Sequence, residues 1–249
     1  MLAKIVSKLP APIHRLLRRL FQEDRKVRQL YETTDYLSAY RAHTDMRVDD
    51  DRDAAIGGMW DQIGELQFNF MVANGLKRDS SLLDFGCGTL RGGLWYIRYL
   101  DPGNYTGIDI SEKVLAAARG RVAENGLNDK HPNIILNEDP DSVFRCVAGH
   151  QYDFIIAQSV LTHLPADFVE NIFIELRDVL KPGGCFFFTY WRGKKYDRVG
   201  VKDFYYPFDT LADMARKHGF SLEDYESRYD HPRGQSMALA KWEGAAVAD

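Results

Sequence analysis

From residue 81 onward, short continuous apolar runs alternate with stretches whose apolar positions recur every three or four residues. The runs LLDF, YTGID, NIILN, YDFIIAQ and CFFFTY are apolar on both side-chain faces, which predicts strands covered on both sides of a sheet. Helices are predicted between them, starting near Leu90, Ser111, Pro140 and Pro165. Ser111, followed by Glu112 and the AAAR run, has the chemistry of a helix start, and Gly126 that of its stop. Such alternation implies the α/β class with a parallel sheet. Beyond Asp203 the pattern changes to a helix at Phe208–His218 stopped by Gly219, a strand at Phe220–Tyr225 and a strand at Gln235–Trp242. Upstream, Met59, Ile63, Leu66, Phe70 and Met71 fall at helical spacing before Gly75, a glycine placed to end the helix.

The first 53 residues are patterned differently and predict an N-terminal helical extension ahead of one domain over 54–249. Within the extension, Ile13, Leu16, Leu17, Leu20 and Phe21 share one helical face, with His14, Arg15, Arg18 and Arg19 opposite. A basic amphipathic helix at 13–21 suits packing on the domain or a partner subunit, contact with an anionic membrane surface, or an organelle transit peptide. The run Asp49–Asp51 reads as a solvated loop or helix start.

Composition narrows the function classes. The formal charge is −4, but residues 1–22 hold five cations and no acid, so removing those five leaves −9 for the rest. An acidic body is a poor grip for a polyphosphate backbone and argues against a nucleic-acid substrate. Cys87, Cys146 and Cys185 stand far apart with no CxxC pair, which excludes a disulfide framework and a zinc ribbon and favours a reducing, cytoplasmic setting. No apolar run is long enough to span a bilayer.

The chemistry concentrates in SLLDFGCGTLRGG, four glycines within eight residues after a strand. A phosphate loop needs Gly-Lys-Ser/Thr, yet no lysine lies between Leu82 and Tyr99. A dinucleotide loop needs glycine where Arg91 stands. A ligand with an adenosine and no phosphate fits better. Gly86 and Gly88 would leave room for a compact amino-acid tail, and Asp84 would face its ammonium. Asp109, ending the next strand about 25 residues later, stands where a ribose-binding acid is expected.

From about Leu82 to Leu180 the chain resembles the class I S-adenosylmethionine-dependent methyltransferases, through LLDFGCGTLRGG, YTGIDIS, the acidic NED at Asn137–Asp139, YDFIIAQSVLTHLP and LRDVLKPGG. The resemblance implies a doubly wound, mostly parallel seven-stranded sheet of order 3-2-1-4-5-7-6 with the last strand antiparallel. It implies S-adenosylmethionine as cofactor. Asp84, Gly86, Cys87 and Gly88 would line its methionine end and Arg91 would reach its carboxylate. Asp109 would take the ribose, Ile110 and Asp139 the adenine, and Gln158 with Ser159 the pocket floor.

Acceptor chemistry is less constrained. A sulfonium methyl is already activated, so the protein chiefly aligns the acceptor, whereas a hydroxyl also wants a general base. His163, just past the fourth strand, is the first candidate base and His231, in YDHPRGQSM, the second; both also suit structural roles. Trp60 (beside Gly57 and Gly58), Tyr190, Trp191, Tyr205, Tyr206, His231 and Arg233 are candidate acceptor contacts, the aromatics through flat faces with polar edges. With no metal cluster in the sequence, the expectation is metal-independent O-methylation of a small-molecule, sugar or lipid-linked acceptor. N-methylation of a small amine or lipid head group, and a non-catalytic cofactor-binding module, are the alternatives.

Overall fold

The computed structural model describes residues 25–50, 59–139 and 142–242. The amphipathic helix read at 13–21, Gly57 and Gly58, Asp51 and the helix start at Pro140 lie outside them. The chain forms two compact units, Met1–His43 and Thr44–Asp249. In the first, residues 25–33 are helical and α1 (Tyr36–Asp50) begins. Asp35 starts α1 by accepting the Ser38 N–H at 3.0 Å, satisfying a donor that the first turn leaves open.

The second unit is built on a sheet running β3 (Asn133–Leu136), β2 (Tyr105–Asp109), β1 (Leu82–Phe85), β4 (Tyr152–Ala157) and β5 (Leu180–Arg192), all parallel. After β5 the path forks. β9 (Ser236–Trp242) runs antiparallel along Cys185–Tyr190 and carries β8 (Phe220–Asp224) on its far side. At the end of β5, Trp191 and Arg192 pair instead with Tyr205 and Tyr206 of β7 (Asp203–Tyr206), which forms a hairpin with β6 (Asp197–Val199). Without that hairpin the strand order is the expected 3-2-1-4-5-7-6. The hairpin itself was not legible: KKYDRVGVKDFYY reads as a loop because its strands are short and β6 is exposed throughout.

Helices α2 (Trp60–Ala73), α3 (Gly93–Tyr99), α4 (Glu112–Glu124), α5 (Ala166–Val179) and α6 (Phe208–Lys217) cover this sheet. Ser111 caps α4 by accepting the Val114 N–H, and α5 buries Val169, Ile172, Phe173, Leu176 and Val179 along one stripe. Between β3 and β4 the described residues hold only a 3-10 turn, Arg145–Val147, in place of the predicted helix. Phe70 of α2 meets Phe187 of β5 and Tyr229 edge to face at 5.2 and 4.9 Å. That contact seats the segment after β8 against the carboxyl end of the sheet.

At the opposite edge, Asp153 Oδ2 accepts the Ser81 N–H (2.8 Å), the Ser81 hydroxyl (2.7 Å) and the Lys181 ammonium (2.9 Å), tying the starts of β1, β4 and β5 together. Burial raises this carboxyl, but the Ser81 and Lys181 bonds outweigh it and hold the group below its ordinary value. Its stabilisation is therefore full above the ordinary carboxylate range and is lost as pH falls through the lowered value. Asp153→Ala should cost about 1–3 kcal/mol, read as a lower melting temperature at neutral pH, with the gap to wild type closing in acid. An unchanged melting temperature would remove the latch from the account.

Candidate active site

The carboxyl ends of β1, β2 and β4 converge on one crevice, and the residues there start with a buried acid. Asp84, third in β1, is 4% exposed and accepts the Tyr105 O–H at 2.8 Å. Burial pushes it up to about 7 against the Tyr105 bond, with the Asp109 charge adding and the Arg91 charge opposing. Gly93 is part of this arrangement, since a Cβ there would stand 2.5 Å from the Tyr105 hydroxyl. Gly92 lies equally tight against the Gln67 amide of α2. The last two glycines of the run therefore serve packing.

Gly86 serves packing on its side-chain face. It has φ +70°, which favours glycine, and a Cβ would lie 2.4 Å from Val160 Cγ2. The space it frees on that side holds the valine after β4. Cys87 packs inward too. Its thiol is buried against Gly107 of β2, where an added Cβ would meet it at 2.9 Å, so the side chain faces the sheet. Gly88, at φ +55°, turns its N–H onto Asp109 Oδ2 at 3.1 Å, while Asp109 Oδ1 accepts the Ser111 N–H at 3.1 Å. Burial raises Asp109 to about 6 despite these backbone bonds. Ile110 beside it is partly exposed. Asp139, past β3, is ion-paired with Arg145 at 2.6 Å.

The end of β4 opens a polar network. Gln158 accepts the Tyr229 O–H at 2.6 Å and reaches Gln235 at 3.3 Å; Ser159, held at φ +62°, donates its hydroxyl to Gln235 at 3.0 Å and its N–H to the Thr189 hydroxyl oxygen at 2.7 Å. A non-glycine residue in this region costs free energy, and such strain clusters at ligand sites. His231 stacks on Tyr229 with ring centroids 5.9 Å apart. Its Nδ1 accepts the Arg233 N–H at 3.2 Å and lies 3.5 Å from the Gln235 nitrogen. The proton of the neutral ring is therefore on Nε2, which is buried without a partner. Burial, with Arg91 and Arg233 nearby, lowers His231 to about 4. As a base His231 is thus corrected: it presents a donor and has little affinity for a further proton. Arg91, 6% exposed, is lowered to about 10 by burial and by Arg233, against the pull of Tyr229 and Asp84.

His163 has the opposite polarity. It closes the 3-10 turn Leu161–His163 after β4. Nδ1 stands 3.0 Å from Asp203 Oδ1 and 3.2 Å from the Lys202 carbonyl. Both are acceptors, so Nδ1 carries the proton and the basic lone pair is on Nε2. Burial lowers the ring below its ordinary value while Asp203 pulls the other way. Asp203 and Lys202 come from the β6–β7 hairpin and carried no sequence signal, being 39–40 residues away in a stretch read as loop.

The aromatic candidates divide. Tyr190 and Tyr206 are corrected: both are 0% exposed, Tyr190 beside Phe188 and Tyr206 with its hydroxyl on the Leu164 carbonyl. Trp191 and Tyr205 are partly exposed and stacked on each other at 5.8 Å. Trp60 lies under the Arg121 guanidinium at 3.9 Å, so that ring face packs on α4. Arg192 is committed to Asp224 and Glu226. Arg233 is exposed on the turn after His231. Among the described residues, no group of three or more His, Cys, Asp and Glu side chains could hold a metal ion, and no helix is long and apolar enough to cross a membrane.

The raised Asp84 has a measurable consequence. A carboxyl with its folded value at about 7 and an ordinary value of 3.8 binds its proton more tightly when folded. Its contribution is full below the ordinary value and is lost as pH rises through about 7. Asp84→Asn, which keeps an acceptor for Tyr105, should melt about 2–6 °C above wild type at alkaline pH without ligand, with little difference near pH 4. A variant that melts lower at alkaline pH would contradict this account of the site.

Comparison with known proteins agrees with this architecture. The family described as a methyltransferase domain matches residues 83–186. The chain is 30% identical over 112 residues to the probable methyltransferase ltbC of Aspergillus luteorubrus, covering 44% of this chain and 39% of that protein. It is 30% identical over 135 residues to the ubiquinone biosynthesis O-methyltransferase of Pasteurella multocida, covering 51% and 53%. The chain thus spans about half the length, or less, of these curated relatives. Magnesium protoporphyrin IX methyltransferase from Synechocystis PCC 6803, solved with bound SAM, superposes with a TM-score of 0.61 at 17% identity, over 84% of this chain and 97% of that one. The ordered strands thus have the class I methyltransferase fold, and residues 83–186 match a methyltransferase domain.

Proposed function

We propose that the protein is an O-methyltransferase of a small-molecule, sugar or lipid-linked acceptor, with His163 as general base and Asp203 as its positioning partner. The observation that carries this reading is the 3.0 Å contact between His163 Nδ1 and Asp203 Oδ1. A carboxylate on Nδ1 selects the tautomer whose Nε2 can take a proton, and stabilises the imidazolium that results. An amine acceptor would need no such pair. The match to an O-methyltransferase family member in Pasteurella multocida is in keeping with a hydroxyl acceptor.

The crevice suits the cofactor on the chemistry of its donor set. A buried and a half-buried carboxylate stand at neighbouring strand ends with no lysine from Leu82 to Tyr99, which favours an ammonium and a diol and disfavours a polyphosphate. Asp84 would take the ammonium, Asp109 the ribose hydroxyls, and Ile110 with Asp139 the adenine. The Gly86–Gly88 turn would lie along the amino-acid tail through its backbone, Arg91 would face the carboxylate, and Gln158 with Ser159 would form the floor. When bound, the group supplies an activated methyl. His163 would accept the acceptor's hydroxyl proton at Nε2, while Asp203 keeps the ring from turning. Trp191 and Tyr205 would border the acceptor. No metal enters this scheme. Residues 1–53 would serve as an extension that docks the domain at 54–249 on a membrane surface or a protein partner.

Incubation with labelled methyl donor and a lysate separated into lipid, small-molecule, RNA and protein fractions should place label in the first or second. His163→Ala should lower turnover about 10²–10⁴-fold with binding of S-adenosylhomocysteine near normal, and chelators should leave wild-type turnover intact. The acid limb of kcat/KM should fall below the ordinary imidazole value of about 6.5. Turnover of His163→Ala within about tenfold of wild type, roughly 1.4 kcal/mol of barrier, would eliminate the base. Label in no fraction would favour a cofactor-binding module.

A further inference from the structure

Two uncharged N–H groups near the end of β4 meet no acceptor among the described residues, and they occupy neighbouring strands. The indole Nε1 of Trp191 is buried without a partner. Gln235, 5% exposed, spends its amide oxygen on the Ser159 hydroxyl at 3.0 Å and the Gln158 amide nitrogen at 3.3 Å, which leaves its own nitrogen unmatched. A buried donor of this kind costs free energy unless a ligand supplies the acceptor. Strand register puts the two residues side by side. Tyr190 of β5 pairs with Ser236 of β9, so Trp191 and Gln235, one residue further on, stand opposite each other at about 5 Å between Cα atoms. Alternation along β5 turns Trp191 to the face of Thr189. Thr189 Oγ1 accepts the Ser159 N–H at 2.7 Å and lies 3.4 Å from the Gln158 amide nitrogen, and the Gln235 side chain is bonded to those same two residues.

We propose that Trp191 and Gln235 determine specificity by recognising an uncharged carbonyl oxygen on the acceptor molecule. The inference rests on the methyltransferase reading and names a feature of its substrate. The side-chain oxygens around the two donors are already engaged. Gln235 Oε1 takes two donors, Gln158 Oε1 takes the Tyr229 O–H, and Thr189 Oγ1 takes the Ser159 N–H. A hydroxyl or an ammonium would bring a proton to oxygens that are in use, whereas a carbonyl oxygen only accepts. Neither donor is charged. Arg192, the cation next along β5, alternates to the other face and is held by Asp224 and Glu226, so the position suits a neutral oxygen over a carboxylate.

The same face leads to the proposed base. Tyr205 of β7 pairs with Trp191 and stacks on it at 5.8 Å. Asp203, two residues before Tyr205, shares its face of β7 and lies 3.0 Å from His163 Nδ1. From β7 to β9 the face therefore carries Asp203 with its histidine, Tyr205, Trp191 and Gln235 in order. An acceptor lying along the two stacked rings would present its hydroxyl toward β7 and its carbonyl toward β9.

Full-length protein is first titrated with S-adenosylhomocysteine, which tests the methyltransferase reading by itself. The saturated protein is then titrated with para-hydroxyacetophenone, with para-ethylphenol, which has a methylene in place of the carbonyl, and with para-hydroxybenzoate, Kd being read by calorimetry. The ketone should bind about tenfold or more tightly than the ethylphenol, and more tightly than the benzoate. Gln235→Glu keeps an oxygen for Ser159 and Gln158 while removing the N–H donor, and Trp191→Phe keeps a ring against Tyr205 while removing the other. Each should lose most of the ketone's preference, with S-adenosylhomocysteine affinity near wild type as the sign of an intact fold. Equal binding of ketone and ethylphenol, no binding of any probe, or a preference that survives both substitutions would overturn the proposal. Tighter binding of the benzoate would overturn it too, assigning the position to an anion, and so would weakening of all three probes alike by both variants, which marks a structural role. If Gln235→Glu does not fold, Trp191→Phe decides. If S-adenosylhomocysteine fails to bind the wild type, the methyltransferase reading falls, and the same probes on the ligand-free protein still decide the donor site.

Discussion

A buried carboxylate near the end of β1 and a half-buried one at the end of β2 are the constraint around which the rest of the domain is arranged. Taking Asp84 and Asp109 out of water disfavours their charged forms, and each is raised accordingly. The chain answers with donors whose positions it must then protect. Tyr105 needs Gly93 beside it, Gly88 needs a positive φ to turn its N–H, and Ser111 must both cap α4 and leave its N–H for Asp109. The free-energy cost remains while no cation is bound, which makes the edge receptive to one.

That edge explains the glycine run better than loop flexibility does. One glycine clears Val160, two allow α2 and Tyr105 to close on the turn, and one directs an N–H at a carboxylate. The loop is a packing solution that leaves its backbone beside the ligand crevice. Arg91, in place of the expected third glycine of a dinucleotide loop, is buried and feels the charges of Tyr229 and Arg233 from the segment after β8.

Two insertions have opposite effects on histidine. The β6–β7 hairpin brings acceptors to His163 Nδ1, leaving the lone pair at Nε2. The turn at residues 231–235 brings donors to His231 Nδ1, leaving a proton at Nε2. The two imidazoles thereby hold their protons on opposite nitrogens, set by what faces Nδ1.

Strand runs, the Ser111 cap, the Gly75 and Gly126 stops and the glycine turn were readable in the chain, because each depends on local conformational preference or on periodic burial. The positions of Asp84 and Asp109 near the ends of β1 and β2 were readable for a related reason, since they follow from the strand runs themselves. The hydrogen-bond partners of His163 and His231 were not, nor the burial of Tyr190 and Tyr206, nor the turning of Cys87 toward Gly107. Those depend on contacts between residues tens of positions apart, Asp203 with His163 and Phe70 with Tyr229 among them. A tautomer or a buried face is a property of neighbours in space, and only the folded chain chooses them.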